Sequence, residues 1–305
     1  MAELAQQLVN WLALGSIYSM LAVGFSLLFG VLGVIHFSHG DVSLLGPFIA
    51  LAVLQSLVAA LGVGYGQAEI LLAAGLAIAI VGVIGVALDK IVLRHFRDRP
   101  ALMALVVTVA LGVVIRELIR HLFPEGSNPH AFPAPFTGPA FSMLGIAVTW
   151  FAVSIVLFAA VALGLIYVVL HRTGMGVRIR AVSQDREAAR LMGIDADAVF
   201  RNTFFLASAT GCLAGLLFAG HVGVTRFDFG ILLGLMGFSA AVVGGLGSVA
   251  GAVVGGFLLA AIETVAQATI PNGTAYRQVF AFVVVIGFLV FRPTGLLGRR
   301  AIEKV

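Results

Sequence analysis

Nine apolar runs follow one another along the chain, at about 8–34, 42–61, 69–89, 101–121, 144–170, 201–222, 230–246, 248–268 and 278–296. Most match the roughly 20 residues that an α-helix needs to cross ~30 Å of hydrocarbon. In lipid each backbone N–H and C=O must be satisfied within the segment, so helices are the expected form. Alternating ten-residue strands of the outer-membrane type are absent from the sequence. The expectation is an all-α fold: a polytopic transmembrane helix bundle of about 8–9 membrane segments, one domain over residues 1–305.

Composition agrees with that reading. The chain is 61% hydrophobic and only 10% charged, against about 25% charged in a soluble domain. Its net charge of +4 comes from 16 arginines and two lysines, Lys90 and Lys304. Those cations sit in short connections between apolar runs, the pattern of cytoplasmic loops, so no nucleic-acid partner is expected. Cys212 is the only cysteine, which excludes an internal disulfide and a cysteine-built metal site. Met1–Asn10 holds no Lys or Arg, so a cleaved signal peptide is not expected and the first span should be retained.

The positive charges orient the chain. Lys90, Arg94, Arg97 and Arg99 follow the third run; Arg172, Arg178, Arg180, Arg186, Arg190 and Arg201 follow the fifth; Arg292, Arg299, Arg300 and Lys304 close the sequence. All three clusters are expected in the cytoplasm. The intervening stretch from Leu122 to Ser142 has no Lys or Arg and five prolines, as an external loop would. Counting crossings then places the N-terminus outside and the C-terminus inside, provided that the short run 230–246 also crosses. Trp11 and Trp150 fall near the outer ends of their segments, where an interfacial belt would place them.

Glycines spaced four apart, Gly211 and Gly215, Gly230 and Gly234, and Gly247, Gly251 and Gly255, form small faces that let helices approach closely in lipid. Packing within one bundle and contact with a second membrane subunit both fit. There is also an internal echo. Gly33-Val34-x-x-Phe37-x-x-Gly40 recurs as Gly223-Val224-x-x-Phe227-x-x-Gly230, each after Leu-Leu-Phe. The helices before the two copies are expected to run in opposite directions, as an inverted repeat would have them.

Three polar segments are candidates for function. The first is Ile35-His36-Phe37-Ser38-His39-Gly40-Asp41, which reads as a discontinuous helix lining a passage or as a turn with Asp41 capping the next helix. His36, Ser38, His39, Asp41 and Ser43, with Phe227, are the candidate pathway-lining residues. Two histidines without a third ligand do not make a metal site. The second is Gly174–Phe200, the cytoplasmic connection at about 171–200. Ser183 or Asp185 can cap a short helix there, with Ala188, Leu191 and Met192 on one face, Arg186 and Arg190 on a neighbouring face, and Gly193 at its end. It reads either as an interfacial helix on anionic headgroups or as a knob for a groove on a cytoplasmic protein. The third is Arg116, Glu117 and Arg120, where charge snorkelling competes with substrate contact. Asp228, Glu263 and Arg277 are expected near the outer face as a landing surface.

Absences matter too. The sequence has no Gly-x-x-x-x-Gly-Lys-[Ser/Thr] and no Ser-His-Asp, His-Glu-x-x-His or Cys-x-x-Cys motif. It therefore lacks the loop that grips ATP phosphates, and no enzyme activity is expected.

These residues resemble the permease subunits of branched-chain amino acid ABC importers. Gly15-Ser16-Ile17-Tyr18 to Gly30-Val31-Leu32, then His36-Phe37-Ser38-His39-Gly40-Asp41, is similar to the family's first-helix signature and its "NFAHGD" motif, with His36 and Ser38 in place of Asn and Ala. Glu187-Ala188-Ala189 and Gly193-Ile194 resemble the segment that docks on the ATPase. Ala240 to Ser248, Gly251-Ala252, and Phe291-Arg292-Pro293-Thr294-Gly295-Leu296-Leu297-Gly298 complete the set. The resemblance implies a multi-pass protein of the bacterial inner membrane, embedded in lipid, that binds no cofactor itself. Its implied partners are a second related permease, two cytoplasmic subunits that hold ATP and Mg, and a periplasmic substrate-binding protein. Arg186, Glu187, Ala188, Ala189, Arg190, Leu191, Met192, Gly193 and Ile194 would be the coupling element. The substrate implied is a branched-chain amino acid, with urea, short amides or aromatic acids as alternatives. The rival class, a self-sufficient secondary transporter or channel, would need acidic groups in mid-membrane, and only Asp41 and Glu117 come near that.

Overall fold

The computed structural model describes residues 2–62, 64–97, 99–143, 146–269, 277–292 and 294–298. Pro293, Arg299, Arg300 and Lys304 of the closing motif and C-terminal cluster lie outside them, as does the Arg277 side chain. The helices are α1 (Ala2–Leu32), α2 (His39–Leu61), α3 (Gln67–Ile91), α4 (Ala101–Leu122), α5 (Trp150–Arg172), α6 (Gly174–Gln184), α7 (Arg186–Leu191), α8 (Ala196–Val222), α9 (Phe229–Gly244), α10 (Val249–Thr269) and α11 (Arg277–Phe291). Seven of them, α1 to α5, α8 and α10, are long and apolar enough to cross a bilayer. Helix α9 has 16 residues and the described part of α11 has 15.

Burial sorts these helices. Helices α1 and α8 are covered along most of their length, whereas α3, α4 and α5 each leave an apolar side open. A helix apolar all round belongs at the centre of a bundle or against lipid, and both cases occur. Side-chain contacts give the directions. Trp11 Nε1 donates to the Phe257 carbonyl at 2.8 Å and Ser19 Oγ to that of Val253 at 3.0 Å, so α1 and α10 run antiparallel. Helices α3 and α8 do the same, with Gly82 against Phe205 and the end of α3 tied to the start of α8. Helix α2 instead runs parallel to α8: Gly46 lies against Cys212 and Ser43 and Pro47 against Gly215. Pro47 has no N–H, so it leaves the Ser43 carbonyl unclaimed one turn back, and Gly215 brings α8 onto that carbonyl.

The glycine pairs serve packing within this chain. Gly211 and Gly215 meet α2, Gly230 and Gly234 meet the first turn of α2, and Gly251 and Gly255 meet the last two turns of α9. Three expectations need correction. The run at 144–170 does not enter its helix until Trp150, because β2 (Pro139–Met143) and β3 (Ile146–Thr149) form an antiparallel hairpin before it. Thr149 then caps α5, accepting from Ala152 N at 3.2 Å. A second pair, β1 (His130–Ala131) with β4 (Val224–Thr225), ties the proline-rich loop to the turn after α8. Trp11 is not a free interfacial anchor but a strut between α1 and α10. Glu263 is fully buried and accepts a 2.9 Å hydrogen bond from the Tyr18 hydroxyl, so it is no part of a landing surface.

Candidate functional site

Helices α1 and α8 both stop at a glycine with positive φ, Gly33 at 69° and Gly223 at 77°, a left-handed cap that suits glycine. After each the chain turns back into the bundle, through Gly33–Ser38 and Gly223–Asp228, before α2 and α9 begin. The depth of that return is set by His39, whose ring fills the space between Gly24 of α1 and Gly211 of α8. Gly24 lies eight residues before the end of α1, which is about 12 Å at 1.5 Å per residue. The two new helices therefore start side by side inside the bundle. A Cβ on Gly40 would strike the Gly230 carbonyl and the backbone of Gly234.

The residues expected to line a pathway gather around this junction. Asp41 lies with its carboxylate oxygens 3.1 and 3.2 Å from Arg116 Nη1 of α4, against Gly112 and Gly230. Ser38 Oγ and His36 Nε2 are 3.2 Å apart, and Ser43 Oγ donates to the His39 carbonyl at 2.7 Å. The Phe37 N–H donates to Thr108 Oγ1 at 3.3 Å. His36, Ser38, His39, Asp41 and Ser43 are all buried, while Phe227 is half-buried with the Arg120 guanidinium 5.7 Å from its ring centroid. Asp41 is not a cap: α2 starts at His39, the cap position is Ser38, whose side chain makes no capping hydrogen bond, and the Asp41 carboxylate turns to α4 instead. Glu117 pairs with Arg120 at 3.7 Å on the exposed side of α4. Among the described residues no group of three His, Cys, Asp or Glu side chains is placed to hold a metal.

The second site lies at the other end of α8. Asp185 caps α7, accepting from the N–H groups of Glu187 and Ala188 at 3.0 Å each. Gly193, with φ of 80°, closes it. Between them the helix buries Ala189 and holds Leu191 and Met192 out, 89% and 83% exposed. Glu187, Ala188, Arg190 and Gly193 are exposed as well, and Ile194 is half-buried. The two arginines part company: Arg190 is exposed, but the Arg186 guanidinium turns back over the Phe200 ring of α8, 5.3 Å from its centroid. The base of this knob is fixed by Arg97. Its nitrogens reach Asp89 of α3 at 2.5 Å and Asp197 of α8 at 2.7 Å, and Arg94 adds a 3.2 Å contact to Asp197.

The sequence that builds this junction and knob has relatives among known proteins. The family model for the permease component of branched-chain amino acid transport systems matches residues 7–289. The chain belongs to this family. The high-affinity branched-chain amino acid transport system permease protein LivH of Escherichia coli K12 is 31% identical over 306 residues, covering 98% of this chain and 97% of the relative. LivH of Salmonella typhimurium and BraD of Pseudomonas aeruginosa are each 30% identical, over the same shares of the two chains.

Within this permease, two features escaped the sequence reading. Asp89 hides in the last turn of an apolar run, and its partner Arg97 also pairs with a residue 100 positions on. An acidic residue inside a span is a signal worth following, yet nothing local names its partner. The Tyr18–Glu263 bond, 245 positions apart, had the same defect.

Proposed function

We propose that this chain is one of two permease subunits of an ATP-driven importer of branched-chain amino acids, set in the bacterial inner membrane. The observation that carries this reading is the α7 knob, which presents Leu191 and Met192 almost fully exposed on a chain of this permease family that lacks a phosphate-gripping loop. An exposed apolar pair on a rigid, capped turn fits a groove on a partner. The partner is a cytoplasmic ATP-binding subunit, and two of these supply ATP and Mg to the assembly. Arg190 and Glu187 border the apolar pair and set its orientation. Arg186, Arg97 and Phe200 root the knob on α8 and α3, so a push on α7 reaches the spans. The relatives' names supply the substrate class.

The pathway runs past the junction of α2 and α9, at His36, Ser38, His39, Asp41, Ser43 and Phe227, and opens when the helices around that junction part. An inverted repeat, α1–α3 against α8–α10, underlies it. The matched glycines at 33 and 223, and the pairing of α1 with α10 in the way that α8 pairs with α3, support this. In this topology the N-terminus and the proline-rich loop face the periplasm and its substrate-binding protein. The knob and the C-terminus face the cytoplasm, and α9 and α11 complete the crossings.

Co-reconstitution in lipid vesicles with a second permease, both ATP-binding subunits and a binding protein tests the proposal. Leucine uptake should require ATP and every partner. Ion-driven uptake by this chain alone would reject it in favour of a secondary transporter.

A further inference from the structure

We propose that the Arg116 guanidinium is a docking point for the solute's carboxylate, on the seam where α4 and α9 flank the start of α2. This rests on the reading of the chain as an amino-acid permease and names the chemistry of contact within it. Arg116 sits six residues before the end of α4, about 9 Å along the helix axis. At such depth a charge facing lipid is costly, and charged side chains within spans face the bundle interior or a water-filled cavity. Yet the side chain is 19% exposed, whereas its partner Asp41 is 5% exposed. The open side of this seam must therefore meet water, protein or solute rather than acyl chains.

The bonding pattern says what it would bind. Only Nη1 is engaged, by the two oxygens of Asp41; among the described residues Nε and Nη2 have no hydrogen-bond partner. A guanidinium with donors in reserve offers the planar fork that carboxylates fit. The first turns of α2 and α9 lie alongside, and their amide ends add partial positive charge. Along α4 on either side of Arg116 lie half-buried phenyl rings: Phe227 beside Arg120 one turn on, and Phe37 bonded through its N–H to Thr108 two turns back, its ring 5.5 Å from that of Phe238 between centroids. An anion-binding fork, a carboxylate within reach of an ammonium, and a phenyl wall suit a zwitterion with an aliphatic side chain. Urea and short amides have no carboxylate for the fork. Arg97 makes the contrast: it is 3% exposed and held by two aspartates, a purely structural cation.

The test uses the complete importer in vesicles, with ATP-driven leucine uptake as readout and ATP hydrolysis stimulated by the binding protein as the check on assembly. If Arg116 only balances Asp41, then Asp41→Asn with Arg116→Gln removes both charges and restores uptake. If it docks the carboxylate, the neutral pair stays about tenfold or more below wild type, the loss expected for one charge-assisted hydrogen bond. Uptake within about twofold of wild type in the neutral pair would overturn the proposal. A second measurement avoids dependence on that variant. Cys212 is fully buried, so Arg116→Cys adds the one accessible thiol among the described residues. A water-soluble cationic methanethiosulfonate should label it, as the seam opens to water rather than to acyl chains. Absence of labelling counts against the site. A wild-type complex that shows no ATP-driven leucine uptake rejects the importer reading instead, so the two failures are separable.

Discussion

The Arg97 guanidinium lies over the ring of Phe200, its carbon 3.6 Å from the ring centroid. Arg186 of the knob approaches the same ring at 5.3 Å. One aromatic side chain at the start of α8 thus receives a cation from the connection after α3 and another from α7. With Asp89 and Asp197 in the cluster, three parts of the chain are bound at one point.

That cluster predicts a stability effect. Arg97→Ala leaves Asp89, 2% exposed, as an unpaired buried charge, which costs about 3–5 kcal/mol. Arg97→Lys should recover less than half, because an ammonium cannot stack flat on Phe200 while bridging two carboxylates. Thermal denaturation of the purified protein measures both, and an Arg97→Lys variant as stable as wild type would contradict the stacking argument.

The knob predicts a functional effect without a stability cost. Leu191→Asp with Met192→Asp changes two side chains that touch little of their own chain. Insertion and melting should be unchanged, while ATP-driven uptake falls about tenfold or more, as for loss of an interface anchor. Arg190→Glu should weaken uptake less. Arg186→Glu should instead lower stability, since that guanidinium packs on Phe200. Co-purification of the ATP-binding subunits with each variant is the direct measurement.

The junction predicts sharp intolerance at one glycine. Gly40→Ala places a methyl against the Gly230 carbonyl and the Gly234 backbone, and overpacking against backbone costs about 1–3 kcal/mol or more. Gly164→Ala, with open space around it, should be neutral or slightly stabilising by helix propensity. Comparable yields and melting points for the two variants would remove the close approach from the account.

Much of this was legible because it is local. Apolar length marked the seven long helices among nine runs, and the ends of α7 were narrowed to Ser183 or Asp185 at its start and Gly193 at its close. The echo around Gly33 and Gly223 suggested an inverted repeat, and the structure ends α1 and α8 at those two glycines. What stayed hidden depends on partners far away. Nothing near Asp41 announces Arg116 as its counter-charge, 75 positions on, so an N-cap was an equally good reading. The face of α7 that buries Ala189 and frees Leu191 is chosen by the surface of α8, and the hairpin of β2 and β3 by pairing that periodicity in an apolar run does not reveal.

The buried Tyr18–Glu263 bond gives one more expectation. Tyr18→Phe removes the 2.9 Å donor to a carboxylate with no solvent exposure and should cost about 1.5–3 kcal/mol. A melting midpoint unchanged from wild type would show that the remaining surroundings of Glu263 are sufficient without it.

The start-to-start meeting of α2 and α9 has an electrical consequence. Asp41 and Arg116 cancel one another, but two helix amino ends remain pointed at the same level of the membrane, each equivalent to about half a positive charge. Such a paired end repels cations, as the half-helices of water channels do. On the proposed pathway, sodium ions and protons would meet a barrier there that a zwitterion, with no net charge, would not. A cell could then accumulate amino acids through this protein while its membrane potential stays intact.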